Sequence, residues 1–307
     1  MKIIVTGGAG FIGSHIVDAY VKAGHRVAVI DNLSTGFRKN LNPRAKFYKA
    51  DIQNAPLIER VFKKERPEIV NHHAAIASVI QSVRNPLAVY GANVMGTASI
   101  LTALVRYGRG TRKKIIFASS GGTLYGDSPE KIPADERLPM RPISPYGISK
   151  LLGEELIAHY SGAHHFSHLI FRYANVYGPR QNPKGEAGVV AIFGGLMRKG
   201  KTPVIFGDGT KTRDYAFVDD VARANLAALR RGTNVTLNIG LGKEMSDRKI
   251  FDTVAKYAHF SGKPKFAPER PGEIYRIALD AKKAKKILGW RPRTLLDEGI
   301  KRTVASL

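Results

Sequence analysis

The first 31 residues constrain the fold more than any other stretch. Residues 2–5 (KIIV) are a short apolar run, residues 6–13 read TGGAGFIG, and residues 26–30 (RVAVI) are a second apolar run ending at Asp31. Between them Phe11, Ile12, Ile16, Val17, Tyr20 and Val21 recur at helical spacing. The chain therefore opens as strand, glycine turn, helix, strand. Gly7, Gly10 and Gly13 let the backbone turn tightly and approach a pyrophosphate, which the helix N-terminus stabilises; Phe11 and Ile12 open that helix beside the same site. Asp31 stands eighteen residues after Gly13. A carboxylate there accepts both ribose hydroxyls of NAD and repels the 2′-phosphate of NADP, so NAD is the expected cofactor.

The alternation continues. Strands are expected near 46–49, 68–71, 113–118 and 235–239, and helices near 55–64, 86–107, 144–161, 187–198 and 219–230. Such alternation means an α/β fold, a Rossmann-type doubly wound parallel sheet covered by helices. After about residue 172 the stretches YGPRQNPKGEAG, FGDGTKT and ERPGE raise the glycine and proline density. Residues 1–172 are read as the NAD-binding domain and 173–307 as a smaller substrate-binding lobe, interleaved through a late strand near 235–239 that returns to the large sheet.

The 307 residues, 43% of them hydrophobic, are enough for a large core. With no cysteine, disulfides and thiolate metal sites are excluded, and no metal is expected. The net charge of +24 favours anionic ligands, but Lys and Arg are spread along the chain. The one dense cluster, Lys282-Lys283-Ala284-Lys285-Lys286, reads as a solvated helix face. No aromatic-basic platform supports nucleic-acid binding. No apolar run near 18 residues is evident, and the N-terminus lacks signal-peptide features, so no membrane partner and a cytoplasmic location are expected. Scarce glutamine and absent cysteine suit a heat-adapted protein.

Residues 144–150, SPYGISK, hold a local contradiction. Ser144 suits a helix cap and Pro145 its first turn. Lys150 then lies near the positive end of the helix dipole, where a cation is disfavoured. Tyr146 and Lys150 share one face as i and i+4 residues. A phenol with an ordinary pKa of about 10 needs on the order of 4 kcal/mol of help to act as a base near neutrality. An ammonium nearby in a partly dry site supplies about 3 kcal/mol of it.

Together these residues resemble the extended short-chain dehydrogenase/reductase superfamily. Further stretches resemble its nucleotide-sugar branch, and within it the UDP-glucose 4-epimerases: DNLSTG (31–36), SVIQSVRNP (78–86), NVMGT (93–97), FASSGGTLYG (117–126), FRYANVYGPRQ (171–181), FGDGTKTRDYAFVDD (206–220) and RPGE (270–273). The resemblance runs from Met1 to about Trp290. It implies tightly bound NAD and a UDP-sugar whose C4 is transiently oxidised, with Tyr146 as base and Lys150 as its electrostatic and ribose partner. It further implies that Asp31, Asn32, Ser34 and Gly36 hold the adenosine ribose region and that Asp51 and Ile52 border the adenine. Ala74 and Ala75 lie near the pyrophosphate and Asn93 near the nicotinamide. On the substrate side it implies Asn175, Arg213 and Arg270 at the diphosphate, Glu273 at the uridine ribose, Val204 and Phe206 bordering the uracil, and Val189 among the substrate-binding residues. It implies a homodimer formed by the helices of 86–107 and 144–161, and a sugar pocket walled near Ile277.

One position departs from the family. The hydroxyl expected beside the tyrosine falls on Gly121 when the stretch is aligned on Tyr125-Gly126. Ser120 and Thr123 remain, and strand alternation favours Thr123. Three other activities stay open: an epimerase of UDP-N-acetylhexosamines, a decarboxylase and a dehydratase. A 4,6-dehydratase would carry an acidic pair where Gly121-Gly122-Thr123 stand.

Overall fold

The computed structural model describes residues 1–110, 113–184, 188–270 and 272–307. Strands β1 (Lys2–Thr6), β2 (Arg26–Asp31), β3 (Lys46–Lys49), β4 (Ile69–His72), β5 (Lys114–Ser120) and β6 (Ser167–Tyr173) alternate with helices. These are α1 (Phe11–Lys22), α2 (Ala55–Glu65), α3 (Val79–Arg84), α4 (Pro86–Tyr90), α5 (Gly96–Tyr107), a single turn α6 (Gly121–Leu124) and the long α7 (Pro145–Ala163). The strands that follow are β7 (Asn175–Tyr177), β8 (Val204–Phe206), β9 (Thr212–Arg213), β10 (Tyr215–Phe217), β11 (Val235–Ile239), β12 (Met245–Ser246) and β13 (Lys265–Ala267). Their helices are α8 (Val189–Met197), α9 (Val218–Ala228), α10 (Asp247–Ala258), α11 (Lys282–Leu288) and α12 (Leu296–Ala305).

Seven strands form one parallel sheet in the order β11-β6-β5-β4-β1-β2-β3. The strand order reverses at β1, with β2 on one side and β4 on the other. Loops leaving β1 and β4 diverge there and open a crevice at the carboxyl edge, where such sheets bind ligands. Successive side chains on β1 face opposite ways, so both faces are covered. Ile3 and Val5 join a core with α1 and α9, while Ile4 joins a second core with Ile58 and Phe62 of α2, Ile100 and Leu104 of α5, and Ile157 of α7. A third core, with Phe193, Phe217, Phe251 and Ile300, belongs to the C-terminal part of the chain.

β6, α3, α10, α12 and the short strands β7 to β10, β12 and β13 do not appear among the sequence expectations. The segment 86–107 is helical as expected, but a π turn at Gly91–Met95 interrupts it. One expectation needs correction: Pro86–Tyr107, 22 residues containing an 18-residue window of mean hydropathy 1.4, is long and apolar enough to cross a membrane by length and composition. No long unbroken apolar run marks it, because Gly, Asn, Thr and Ser interrupt its Leu, Val, Ile, Met and Ala residues. Half of that window is buried inside this fold. The helix expected at 187–198 begins at Val189, and residue 187 lies outside the described residues.

β5 begins with a buried lysine. Lys114 Nζ donates to the carbonyls of Ala228 (2.6 Å), Arg231 (2.9 Å) and Gly232 (2.6 Å), closing the C-terminus of α9, although burial pushes its pKa down to about 8. Lys114→Met leaves these carbonyls unsatisfied and should lower the unfolding free energy by about 3 kcal/mol in urea titration. A loss below about 1 kcal/mol would mean that the helix end is held by other contacts.

Candidate active site

The glycine turn lies at the carboxyl end of β1. Gly7 has φ +70°, and a Cβ there would stand 2.8 Å from the Ala74 nitrogen; a Cβ at Gly13 would collide with the Gly7 carbonyl oxygen. The turn therefore admits no side chain, which keeps backbone N–H groups open to a pyrophosphate. Asp31 is buried at the end of β2, accepting from the backbone N–H of Ala9 (3.0 Å) and of Leu33 (2.8 Å). Its carboxylate thus ties the glycine turn to the 31–36 loop. Gly36 packs on Ala9 in the same loop. Asn32 donates to Asp51 (2.9 Å), and its own oxygen accepts from the Ser34 N–H (3.0 Å). Ile52 is buried next to Asp51. Ala74 and Ala75 follow β4 across the crevice, with Ala74 N–H bonded to Thr6 Oγ1 (3.1 Å). Phe11 and Ile12 open α1, both half-buried. The cradle and the acid at the end of β2 fit NAD.

Asn93 has a different surrounding. Its side chain is buried and exchanges hydrogen bonds with the backbone of Ile76 (2.8 and 3.1 Å), and it donates to Ser149 Oγ of α7 (2.9 Å). It fastens the loop after β4 to the tyrosine helix.

That helix starts as its sequence requires, with Ser144 Oγ accepting from the Gly147 N–H (3.2 Å) and Pro145 in the first turn. Lys150 turns inward. Its Nζ donates to the Ala118 carbonyl of β5 (2.9 Å) and lies 5.0 Å from the Phe117 ring centroid and 5.9 Å from that of Tyr146. Burial pushes its pKa down to about 8, opposed by the Glu154 carboxylate. Desolvation pushes the Tyr146 phenol up to about 12, opposed by a hydrogen bond from Ser120.

Ser120 is thus the hydroxyl that bears on the Tyr146 phenol's pKa. Thr123, the expectation from strand alternation, is placed differently: its Oγ1 is buried with no hydrogen-bond partner among the described residues. The reason is local. β5 ends at Ser120, and Gly121–Leu124 wind into a helical turn, so the alternating faces of a strand no longer apply. Gly121 has its own cause, since a Cβ there would stand 2.5 Å from Leu279 Cδ1. Leu279 fills the space in which the family pattern places a side chain. Gly121→Ser should cost about 1–3 kcal/mol by overpacking. Adding Leu279→Ala should recover most of that loss in thermal unfolding; a double variant no better than the single would remove Leu279 as the obstacle.

The residues expected at the substrate lie in the C-terminal part. Asn175 opens β7, its side-chain oxygen facing Gly122. Arg213 Nη1 donates to the carbonyls of Thr212 (2.8 Å) and Tyr275 (3.2 Å). The Arg270 guanidinium sits 3.3 Å from the Phe206 ring centroid and 4.0 Å from Glu273. Val189 and Val204 are half-buried at the starts of α8 and β8. Pro271 of the RPGE stretch lies outside the described residues. Ile277 is almost fully buried in the first core.

Several residues of this site escape a reading of the sequence. Lys211, buried, bonds Glu273 (2.6 Å). Asp214, beside Arg213, accepts from the N–H groups of Leu241 (2.9 Å), Gly242 (3.0 Å) and Leu279 (3.1 Å), and burial pushes it up to about 6. It links the Arg213 segment to the Leu279 that packs on Gly121. Glu154 stands four residues after Lys150, continuing the spacing that singled out Tyr146 and Lys150.

Residues 3–240 match the NAD dependent epimerase/dehydratase family. The chain belongs to that family. It is an NAD-dependent nucleotide-sugar 4-epimerase, and a putative UDP-glucose 4-epimerase of Methanocaldococcus jannaschii is 49% identical over 98% of this chain and 97% of its own. A UDP-glucose 4-epimerase of Thermotoga maritima, solved with UDP-glucose, superposes with a TM-score of 0.97 at 45% identity, covering 100% of this chain and 98% of that one. The UDP-glucose 4-epimerase of Thermus thermophilus, solved in complex with NAD, has a TM-score of 0.94 at 41% identity with the same coverage.

Proposed function

We propose that this epimerase interconverts UDP-glucose and UDP-galactose by transient oxidation at C4 with retained NAD. The observation that carries the reading is the meeting of Tyr146, Ser120 and Lys150 beside the glycine crevice. Bound NAD supplies the acceptor and donor of the C4 hydride. Tyr146 takes the proton of the sugar 4-hydroxyl and returns it to the same oxygen. Ser120 hydrogen-bonds that oxygen and the phenol. The Lys150 ammonium lies 5.9 Å from the Tyr146 ring centroid, and an ammonium at roughly that range from a phenolate, at an effective dielectric near 20, stabilises it by about 3 kcal/mol. Lys150 thus offsets the cost of burying the Tyr146 charge.

Asp31, Asn32, Ser34 and Gly36 hold the adenosine ribose region of NAD, Asp51 and Ile52 its adenine, and Ala74 and Ala75 its pyrophosphate, while Asn93 fastens the loop at its nicotinamide end. Arg213 and Arg270 pair with the substrate diphosphate beside Asn175, as the planar guanidinium fork suits phosphate oxygens. Glu273, held by Lys211, accepts the uridine ribose hydroxyls, and Val189, Val204 and Phe206 line the base. Purified protein, incubated with UDP-galactose and no added cofactor, should form UDP-glucose. The NAD should appear in the supernatant on denaturation. A 4-keto-6-deoxy product would replace this reading with a dehydratase.

A homodimer is part of the proposal. Val83 and Leu87 on α3 and α4, Met95 in the π turn, and Ile148 and Leu152 on α7 are exposed apolar side chains, with Leu87 80% exposed. α3 and α4 pack against α7, so these side chains belong to one helical layer, and a second copy related by a two-fold axis buries them on both chains. Light scattering at micromolar concentration should give a mass of two chains; a monomer would contradict it.

A further inference from the structure

Beneath the reaction centre lies a buried ion pair that the mechanism above does not use. Glu154 of α7 and Arg172 of β6 are each about 4% exposed. Arg172 grips the carboxylate with two nitrogens, Nε to Oε1 (3.0 Å) and Nη2 to Oε2 (2.7 Å). Its third nitrogen donates to the Tyr125 hydroxyl (3.1 Å), which donates in turn to Asn238 of β11 (2.8 Å). The same Oε1 accepts the hydroxyl of Ser119 (2.5 Å). Ser119 precedes Ser120, at the end of β5, where the strand gives way to the α6 turn.

We propose that Glu154 is a positioning residue of the reaction centre: its carboxylate holds Ser119, which fixes Ser120 against Tyr146, and its charge stands one helical turn beyond Lys150. Two geometric facts support this. A bidentate guanidinium leaves the carboxylate one preferred plane, so the oxygen offered to Ser119 is fixed in direction. A buried ion pair is weak support for stability alone, because desolvation opposes it, whereas a pair that orients a neighbouring group has a reason to be charged. The groups around the Lys150 ammonium are few. Tyr146 and Glu154 face it from its own helix, the Ala118 carbonyl and Phe117 ring from β5, His72 from the end of β4 and His73 from the residue after it. Burial lowers both histidines to about 3, so they stay neutral at working pH. Among the described residues, Glu154 is then the carboxylate that acts to keep Lys150 charged.

The inference rests on the reading of Tyr146 and Ser120 as the reaction centre, so Tyr146→Phe is assayed in parallel. Ser119→Ala keeps the ion pair intact. It should lower kcat about tenfold with KM for the UDP-sugar unchanged, since only the orientation of Ser120 is loosened. Glu154→Gln removes a charge that favours the Lys150 ammonium. The pH at which kcat declines on the alkaline side should move down by about one unit. A wild-type kcat in Ser119→Ala, or an unshifted alkaline limb in Glu154→Gln, overturns the proposal. Should Glu154→Gln not fold, Ser119→Ala decides alone. An active Tyr146→Phe would instead bring down the reading of the centre itself, which separates the two failures.

Discussion

Tyr146→Phe is expected to lower kcat by about 10³-fold or more while KM for the UDP-sugar changes little. The substitution removes one oxygen and leaves the ring in place, so packing on α7 is kept. What is lost is the group that carries the proton of the 4-hydroxyl. General acid–base catalysis is worth about 10²–10⁴-fold, and among the described residues no titratable side chain is placed to stand in for the phenol. Lys150 is committed to the Ala118 carbonyl. Steady-state kinetics in both directions checks this. A variant within tenfold of wild type would mean that the proton leaves by another route.

Ser120→Ala should have the second largest effect, about 100-fold in kcat, with Thr123→Val within about fivefold of wild type. The order follows from geometry. Ser120 draws the Tyr146 phenol's pKa down against the effect of burial, so its loss leaves the phenolate harder to form. Thr123 Oγ1 has no partner among the described residues, and the valine that replaces threonine has nearly its shape. Equal effects of the two substitutions would mean that both hydroxyls face the sugar. The reverse order would return the role to Thr123.

These two serine and threonine positions mark where a reading of the sequence stops. The glycine turn, Asp31 and the Tyr146/Lys150 spacing are legible because each is a local pattern: one turn, one strand end, one helical face. The parallel sheet is legible because its strands alternate with helical periodicity. The Ser120 contact is not, since it depends on where β5 ends and the α6 turn begins. Gly121 looks like a missing hydroxyl in the sequence and is a space filled by Leu279, 158 residues away, in the structure. Lys114 is likewise unreadable, because the carbonyls it satisfies lie 114 to 118 residues on. Glu154 could have been noticed from its spacing to Lys150, but not its partner Arg172 on strand β6.

The central claim is that the hydrogen at C4 leaves and returns to the same carbon while Tyr146 manages only the hydroxyl proton. UDP-glucose deuterated at C4 tests it most directly. After incubation with the purified protein in ordinary water, without added cofactor, the UDP-galactose formed should carry deuterium at C4 by mass spectrometry and NMR. Product in which that deuterium has been replaced by solvent hydrogen would contradict the account.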